Sequence, residues 1–465
     1  MKIPRFMIAA ASSGSGKTVI SCGLMAAFLS EGKKVAACKC GPDYIDPMFH
    51  REVLGVDSEN LDLFFCERQV MRALFVRHAM QADITVMEGV MGYYDGMMLG
   101  SDEASSYDVA TALETPVILV VPCKGMALSS LAVIKGMLEF RETSQIKGLL
   151  LNRISGMLYP RMKQMIEDGL AQMGYEIPVI GYVPEDEVFR LESRHLGLVT
   201  PEEVGELKAR LMRAGEILQK TVDMKGLEKI AEKATSFCSE DFRAGAENTC
   251  SEIVPEKSKP RIGVARDLAF SFYYKDNLAF LEEGGCKLVL FSPLRDKKLP
   301  EDLHGLILGG GYPELYAKEL SQNQSMLLSI KNAIQSDLPC IAECGGFMYL
   351  QNELEGTDHI SYPMAGVIDA KAYRMEHLSR FGYVNIQSQR DGRYLKKGEW
   401  IKGHEFHYWD STQNGTECLA VKPDGKRTWE CIHMEGNLFA GYPHIHFYSN
   451  PAFVERFVDV CKKRM

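Results

Sequence analysis

The chain has 465 residues, 46% hydrophobic and 25% charged, a globular balance that excludes a mostly disordered chain, collagen and a coiled coil. Its formal charge is −9, from 53 basic and 62 acidic residues, which gives no footprint for nonspecific nucleic-acid or membrane binding and requires local basic groups for any anionic substrate. The 13 cysteines are odd in number and form no CxxC pair, which argues against a disulfide framework or a zinc ribbon and suits a reducing cytosol. The start, MKIPRFMIAAASSGSGKT, lacks the apolar core of a signal peptide. No apolar run approaches the roughly 20 residues that span a bilayer, so a soluble cytoplasmic protein is expected. At roughly 100–200 residues per domain, two or three domains are expected.

The first half alternates apolar runs with helical patterns. Strands are predicted at Phe6–Ala10, Val35–Cys38, Ile84–Glu88, Val117–Pro122, Gly148–Asn152 and Val179–Val183. Continuous apolar strands between helices point to a parallel sheet covered on both faces. The stretch from Thr221 to Pro260 is polar, mixed in charge and poor in aromatics; it reads as a linker with room for a helix at its start. Alternation then resumes, with strands at Arg261–Ala265, Leu288–Phe291, Leu306–Leu308 and Cys340–Ala342 and helices near Asn277–Glu283, Glu314–Ile334 and Gly345–Gln351. Residues from Ala370 to Phe447 are richer in strand and turn patterns. The expected architecture is α/β, with domains at 1–220 and 260–465 joined by a linker at 221–259.

Two stretches carry chemistry. Residues 11–18 read Ala-Ser-Ser-Gly-Ser-Gly-Lys-Thr, a P-loop whose first glycine is Ala11. The core Gly14, Ser15, Gly16, Lys17 and Thr18 follows an apolar strand and opens an apolar helical run. Glycines let backbone N–H groups converge on phosphate, and the helix N-terminus adds positive potential. Lys17 reaches the outer phosphates in such loops and Thr18 ligates Mg²⁺. A flexible Ser/Gly turn is the plainer reading, and the strand before and helix after weaken it. Glu88 ends an apolar strand, where a carboxylate can hold the metal. Asp43 and Asp46 follow another strand and are equally compatible with turn chemistry.

The second stretch is Leu338-Pro-Cys-Ile-Ala-Glu-Cys344-Gly-Gly-Phe-Met-Tyr-Leu350. An apolar strand runs into Cys344, and Gly345-Gly346 lets the chain turn sharply into a helix, the strand–nucleophile–helix elbow. A helix N-terminus is expected to lower the thiol pKa, and the Gly345 amide is a candidate oxyanion donor. Leu308-Gly-Gly-Gly311-Tyr-Pro-Glu314 follows a strand and supplies a second donor, assigned to Gly311. His444 and His446, in Gly441-Tyr-Pro-His-Ile-His446, are candidate bases, and strand alternation would put both on one face. A buried structural cysteine, and one surface and one packed histidine, are the plainer alternatives.

Together these stretches resemble the glutamine-dependent cobyrinic acid a,c-diamide synthases of corrinoid biosynthesis. The resemblance covers essentially the whole chain. It rests on Ser15-Gly-Lys-Thr18, Lys39-Cys-Gly-Pro-Asp-Tyr-Ile-Asp-Pro47, Glu88-Gly-Val-Met-Gly-Tyr-Tyr-Asp-Gly96, Arg194-His-Leu-Gly-Leu198, Leu308-Gly-Gly-Gly-Tyr-Pro-Glu314, Cys344-Gly-Gly346, Gly403-His-Glu-Phe-His-Tyr408 and His444-Ile-His446. It implies an N-terminal P-loop domain like that of dethiobiotin synthetase and a C-terminal class I glutamine amidotransferase domain. It further implies ATP and Mg²⁺ as cofactors, with Thr18, Asp43 and Glu88 at the metal and Asn152 at the adenine. Asp46, Arg153, Arg190, Arg194 and His195 are then candidates for holding a corrinoid polycarboxylate, with L-glutamine as the nitrogen donor. Amidotransferases with a full triad close on His-Pro-Glu; here His446 stands where the Glu would be, which leaves His444 as the base and its orienting group open. No nucleic-acid or membrane partner is expected, and a homodimer is allowed. The alternatives are a sister amidoligase acting on Ni-sirohydrochlorin or hydrogenobyrinic acid, a P-loop partitioning-type switch without catalysis, and a bicarbonate-using dethiobiotin-synthetase-like enzyme.

Overall fold

The computed structural model describes residues 1–190, 201–238, 259–378 and 380–465. Two compact units divide the chain, Met1–Ala246 and Glu247–Met465. Among the described residues no helix is long and apolar enough to cross a membrane.

The first unit is built on seven strands: β1 (Arg5–Ala10), β2 (Val35–Cys40), β3 (Asp57–Leu61), β4 (Ile84–Glu88), β5 (Val117–Pro122), β6 (Ile146–Asn152) and β7 (Val179–Val183). All neighbours are parallel, in the order β3-β2-β4-β1-β5-β6-β7. β1 and β4 are buried along their whole length, as a sheet covered on both faces requires. The helix Lys17–Ser30 packs against the helix Pro201–Thr221 through small residues. A Cβ on Gly215 would come within 2.9 Å of the Ala27 amide nitrogen, and one on Gly23 within 2.8 Å of Leu218.

Two departures from the sequence reading have physical causes. β3, Asp-Ser-Glu-Asn-Leu, is an edge strand without apolar alternation. Its polar groups are used: Ser58 meets His50, and Glu59 meets His78. The helix Met224–Glu232 stands at the start of the stretch read as linker, where the sequence leaves room for a helix, but it belongs to the first unit's core. Leu227 and Ala231 are fully buried in the first unit's core, and Asp223 caps the helix by accepting from the Gly226 N–H at 2.9 Å. Average polarity hid a narrow stripe of Met224, Leu227, Ile230 and Ala231 spaced three to four apart.

The second unit has a parallel sheet of β8 (Arg261–Ala265), β9 (Lys287–Phe291), β10 (Gly305–Leu308), β11 (Cys340–Glu343) and, much later in the chain, β20 (Leu438–Gly441), ordered β20-β11-β10-β8-β9. Between β11 and β20 run β12 (Gln351–Glu355), β13 (Ser361–Pro363), β14 (Ile368–Arg374), β15 (Arg380–Ser388), β16 (Trp400–His407), β17 (Trp409–Ser411), β18 (Cys418–Val421) and β19 (Thr428–Cys431). With β21 (His444–Ile445) they form two further sheets, β13-β12-β14-β17 and β19-β18-β15-β16-β21. The helix expected over Glu314–Ile334 is two helices, Ala317–Gln322 and Gln324–Gln335. Asn323 interrupts it because its amide donates to the carbonyls of Pro293 and Asp296, both at 2.8 Å.

Leu227→Ala is expected to destabilise the first unit by about 2–5 kcal/mol, since it empties a fully buried position. Leu128→Ala, at an exposed site, should stay within about 0.5 kcal/mol. Denaturant unfolding of the two variants checks the pair; equal stability would place the helix Met224–Glu232 outside the core.

Candidate active sites

The loop between β1 and the helix Lys17–Ser30 bends through Gly14 at φ +70 and Gly16 at φ +80, left-handed values that favour glycine. Asn152, at the end of β6, donates to the Ser15 carbonyl at 2.9 Å and so braces the loop from behind. Lys17 turns back over the loop, donating to the carbonyls of Ser12 at 3.1 Å and Met91 at 2.6 Å. Burial, and then the charge of Lys39, bring its ammonium down to about 8.

Beside the loop lies a buried charged cluster. Parallel register sets Glu88, at the end of β4, between Ile8 of β1 and Lys39 of β2. Glu88 Oε1 accepts from the Thr18 hydroxyl at 2.6 Å and from Lys39 Nζ at 2.7 Å. Glu88 Oε2 faces His50 Nε2 at 3.6 Å and has no hydrogen-bond partner. Lys39 also pairs with Asp46. Burial opposes ionisation of Glu88, but Lys39 and His50 overcome it and hold the carboxyl below the usual range. Asp46 moves the other way, raised by burial and then by Glu88. Asp43 instead closes its own turn, accepting from the Ile45 N–H at 2.8 Å. The sequence placed Asp43 at the metal and Asp46 toward substrate; in the fold Asp46 joins Glu88 through Lys39. The Thr18 hydroxyl and the unpartnered Glu88 Oε2 are hard oxygen donors of the kind Mg²⁺ takes in small number. Among the described residues no group of three or more His, Cys, Asp or Glu is arranged to hold a metal ion. Lys39 and His50 were missed as members, although a lysine inside the buried strand β2 was a visible signal.

A cavity of about 210 Å³ is lined by Gly16, Ile20, Asn152, Arg153, Glu185 and Arg190, among others. Arg153 and Arg190, read from sequence as substrate residues, thus sit beside the phosphate loop. Arg153 also reaches the Gly14 carbonyl at 3.5 Å. Arg194 and His195 lie outside the described residues. A larger cavity, about 500 Å³, involves Pro116, Gln145 and Pro178. These residues precede β5, β6 and β7, at the opposite end of the sheet from the phosphate loop, so size does not mark the site.

In the second unit β11 ends in Glu343, and Cys344 follows at φ +46 and ψ −101, a strained conformation for a residue with a side chain. The helix Gly345–Leu350 begins at once. The Cys344 N–H donates to the Gly441 carbonyl at 2.8 Å, tying the elbow to β20. A Cβ on Gly345 would lie 3.2 Å from the Gly311 amide nitrogen, so the two proposed oxyanion residues adjoin. Glycine is also required at 310: a Cβ there would lie 3.2 Å from both ring nitrogens of His444 and closer still to Cε1. His444 therefore meets Gly310 edge-on, with Cε1 pointing at it. Its Nδ1 lies 3.7 Å from Glu343 Oε2, and the other oxygen of Glu343 accepts from the Ile445 N–H at 3.2 Å. His446 lies against Tyr274, with ring centroids 5.1 Å apart, and burial lowers its pKa to about 3.

The thiol departs from the sequence expectation. Burial, with Glu314 next, pushes Cys344 up rather than down, because the elbow is enclosed. Sequence reasoning missed Glu343, Gly310 and Glu314 as separate participants, although each adjoins a quoted motif. Glu314 is buried, its Oε2 has no hydrogen-bond partner, and burial raises its carboxyl to about 7.

A phosphate loop with a buried acidic strand end, and in the same chain a strained Cys-Gly-Gly elbow whose preceding Glu343 lies 3.7 Å from a histidine, define an amidoligase fused to a glutamine amidotransferase. Comparison with known proteins agrees. Residues 6–199 match the CobQ/CobB/MinD/ParA nucleotide binding domain, and residues 261–452 the CobB/CobQ-like glutamine amidotransferase domain. A cobyrinate a,c-diamide synthase from Caldanaerobacter subterraneus subsp. tengcongensis is 39% identical over 98% of both chains. One from Listeria monocytogenes serotype 4b is 39% identical over 96% of this chain and 97% of its own, and one from Priestia megaterium 38% over 98% and 97%. The chain belongs to the cobyrinate a,c-diamide synthase family of glutamine-dependent ligases. Membership in a family of enzymes sets aside the non-catalytic switch.

Gly310→Ala should push the His444 ring aside and cut glutamine-dependent turnover by about 10²-fold, while turnover with ammonium salt persists; steady-state assays with each nitrogen source check this.

Glu314→Gln gives a pH test. The folded carboxyl lies at about 7 against an ordinary 4.5. Its contribution to stability is therefore complete below about pH 4.5 and is lost as pH rises through about 7. Relative to Glu314→Gln, the unmodified protein should lose on the order of 3 kcal/mol across that window. Thermal unfolding of both proteins without glutamine, from pH 5 to 8, should show the gap open; parallel curves would mean that the carboxyl is not desolvated.

Proposed function

We propose that the protein uses ATP and glutamine to convert the a- and c-acetate carboxylates of cobyrinic acid to amides, in the cytoplasm. What carries this reading is the presence in one chain of a phosphate loop bordered by the Thr18–Glu88–Lys39 cluster and of the strained Cys344 elbow, whose adjoining Glu343 lies 3.7 Å from His444. Neither half alone explains the other.

In the first unit, backbone amides of Gly14–Thr18 and the Lys17 ammonium cradle the phosphates of ATP. Thr18 and Glu88 would hold Mg²⁺, which when bound neutralises phosphate charge. Arg153 and Arg190, at the cavity beside Gly16, are assigned to the nucleotide rather than to the macrocycle. The substrate carboxylate attacks the γ-phosphorus, giving an acyl phosphate and ADP. Ammonia then attacks the acyl carbon, phosphate leaves, and the amide remains.

In the second unit the Cys344 thiol, which burial keeps protonated, passes its proton to His444 as sulfur attacks the side-chain amide of glutamine. The amides of Gly311 and Gly345 receive the oxyanion. His444 returns the proton to the departing ammonia, and water hydrolyses the thioester to glutamate. His446, lying against Tyr274, is assigned to packing around the site.

Incubation of the full chain with ATP, Mg²⁺ and glutamine, against cobyrinic acid, hydrogenobyrinic acid and Ni-sirohydrochlorin in parallel, tests the substrate by product mass. Preference for either of the last two would replace cobyrinic acid. Cys344→Ser should abolish glutamine-dependent amidation and keep amidation with ammonium salt at mildly alkaline pH. Retained glutamine turnover would make Cys344 a structural thiol.

A further inference from the structure

The second unit has a buried thiol at Cys344 and a histidine, His444, against the neighbouring glycine loop, but its closing motif ends in His446 where an orienting carboxylate would be expected. A base of this kind needs its remote nitrogen held, so that the other points at the thiol, and needs negative charge nearby when it becomes an imidazolium. His446 meets neither need. It is neutral and packed against Tyr274.

The carboxylate comes instead from the nucleophile's own strand. Glu343 ends β11, one residue before Cys344, and β11 pairs with β20 so that Glu343 stands opposite Gly441, three residues before His444. Its side chain is largely enclosed. One oxygen is fixed by the Ile445 N–H at 3.2 Å, the amide that follows His444, which leaves the other 3.7 Å from His444 Nδ1. At Cε1, between its two nitrogens, the ring is confined by Gly310. The gap exceeds a hydrogen bond, and such contacts are commonly long without substrate and shorten in the reacting complex. Also beside the ring are Phe272, with centroids 6.5 Å apart, and His404, opposite His444 on β16. Burial, and then His444 itself, lower His404 to about 3, so it brings no charge.

We propose that Glu343 is the positioning carboxylate of the glutaminase site: it holds His444 with Nδ1 inward and Nε2 toward Cys344, and stabilises the imidazolium formed when the thiol proton is transferred. Glu343 itself gains no proton. The Cys344 S–H bond breaks as the S–C bond to glutamine forms, and the same proton leaves on ammonia. The inference rests on Cys344 and His444 being the glutaminase pair.

Glu343→Gln in the full chain preserves volume and an acceptor for the Ile445 N–H but removes the charge. Expected are a loss of about 10²-fold or more in kcat for glutamine hydrolysis, little change in KM for glutamine, and unchanged amidation with ammonium salt. The acid limb of the kcat/KM profile should move to lower pH, because an imidazolium without its carboxylate is less stable. Glu343→Asp should recover part of kcat and return the limb toward its original pH. If Glu343→Gln keeps kcat and the acid limb stays in place, the proposal is overturned. It is equally overturned if Gln and Asp fail alike, with raised KM or lost folding and no shift of the limb in either, since a purely structural residue would behave so. Failure of the underlying reading is separate: it would show as glutamine hydrolysis surviving in His444→Ala.

Discussion

Both central sheets are parallel and covered on both faces, and that constraint decides where chemistry can occur. A strand buried on both sides has no room for an unpaired polar group, so functional side chains emerge where strands end. In the first unit β1, β4 and β6 release the phosphate loop, Glu88 and Asn152 at the same edge of one sheet. In the second unit β10, β11 and β20 release the glycine loop, the Cys344 elbow and the segment leading to His444. Residues from distant parts of the sequence meet because parallel register aligns the strand ends.

The two sites treat burial in opposite ways. At Glu88 desolvation is offset by Lys39 and His50, so the carboxylate stays ionised with one oxygen fully engaged and the other without a hydrogen bond. At Cys344 desolvation is reinforced by the nearby Glu314, and the thiol is held protonated. A charged group poised for a cation and a neutral nucleophile that needs a base are different outcomes of the same low-polarity interior. Which occurs depends on the sign of the neighbours, and those neighbours arrive on other strands.

Local conformation follows the same logic. Left-handed backbone at Gly14 and Gly16 lets the phosphate loop close on itself. Cys344 accepts strain that glycine would avoid, and the surrounding backbone bonds, including that from its N–H to Gly441, hold it there. Glycine at 309–311 serves approach rather than flexibility, since Tyr273, His444 and Ala269 respectively occupy the space where a Cβ would stand.

By itself the sequence determined the alternation of apolar strands and helices, the two α/β units, the phosphate loop and the Cys-Gly-Gly elbow. These are local features, written in contiguous residues whose backbone needs are visible one at a time. It allowed a helix at the start of the Thr221–Pro260 stretch but read the stretch as linker, because four apolar residues in a polar stretch acquire meaning only when a neighbouring surface buries them. It could not see the break at Asn323, whose bonds reach back to Pro293 and Asp296. The contents of the sites were decided by tertiary structure: Lys39 and Asp46 joined to Glu88, Arg153 and Arg190 moved to the phosphate-loop cavity, and Glu343 set before His444. Each depends on which strands are neighbours and in what register, and hydrophobic pattern constrains register without specifying which polar side chains will face one another.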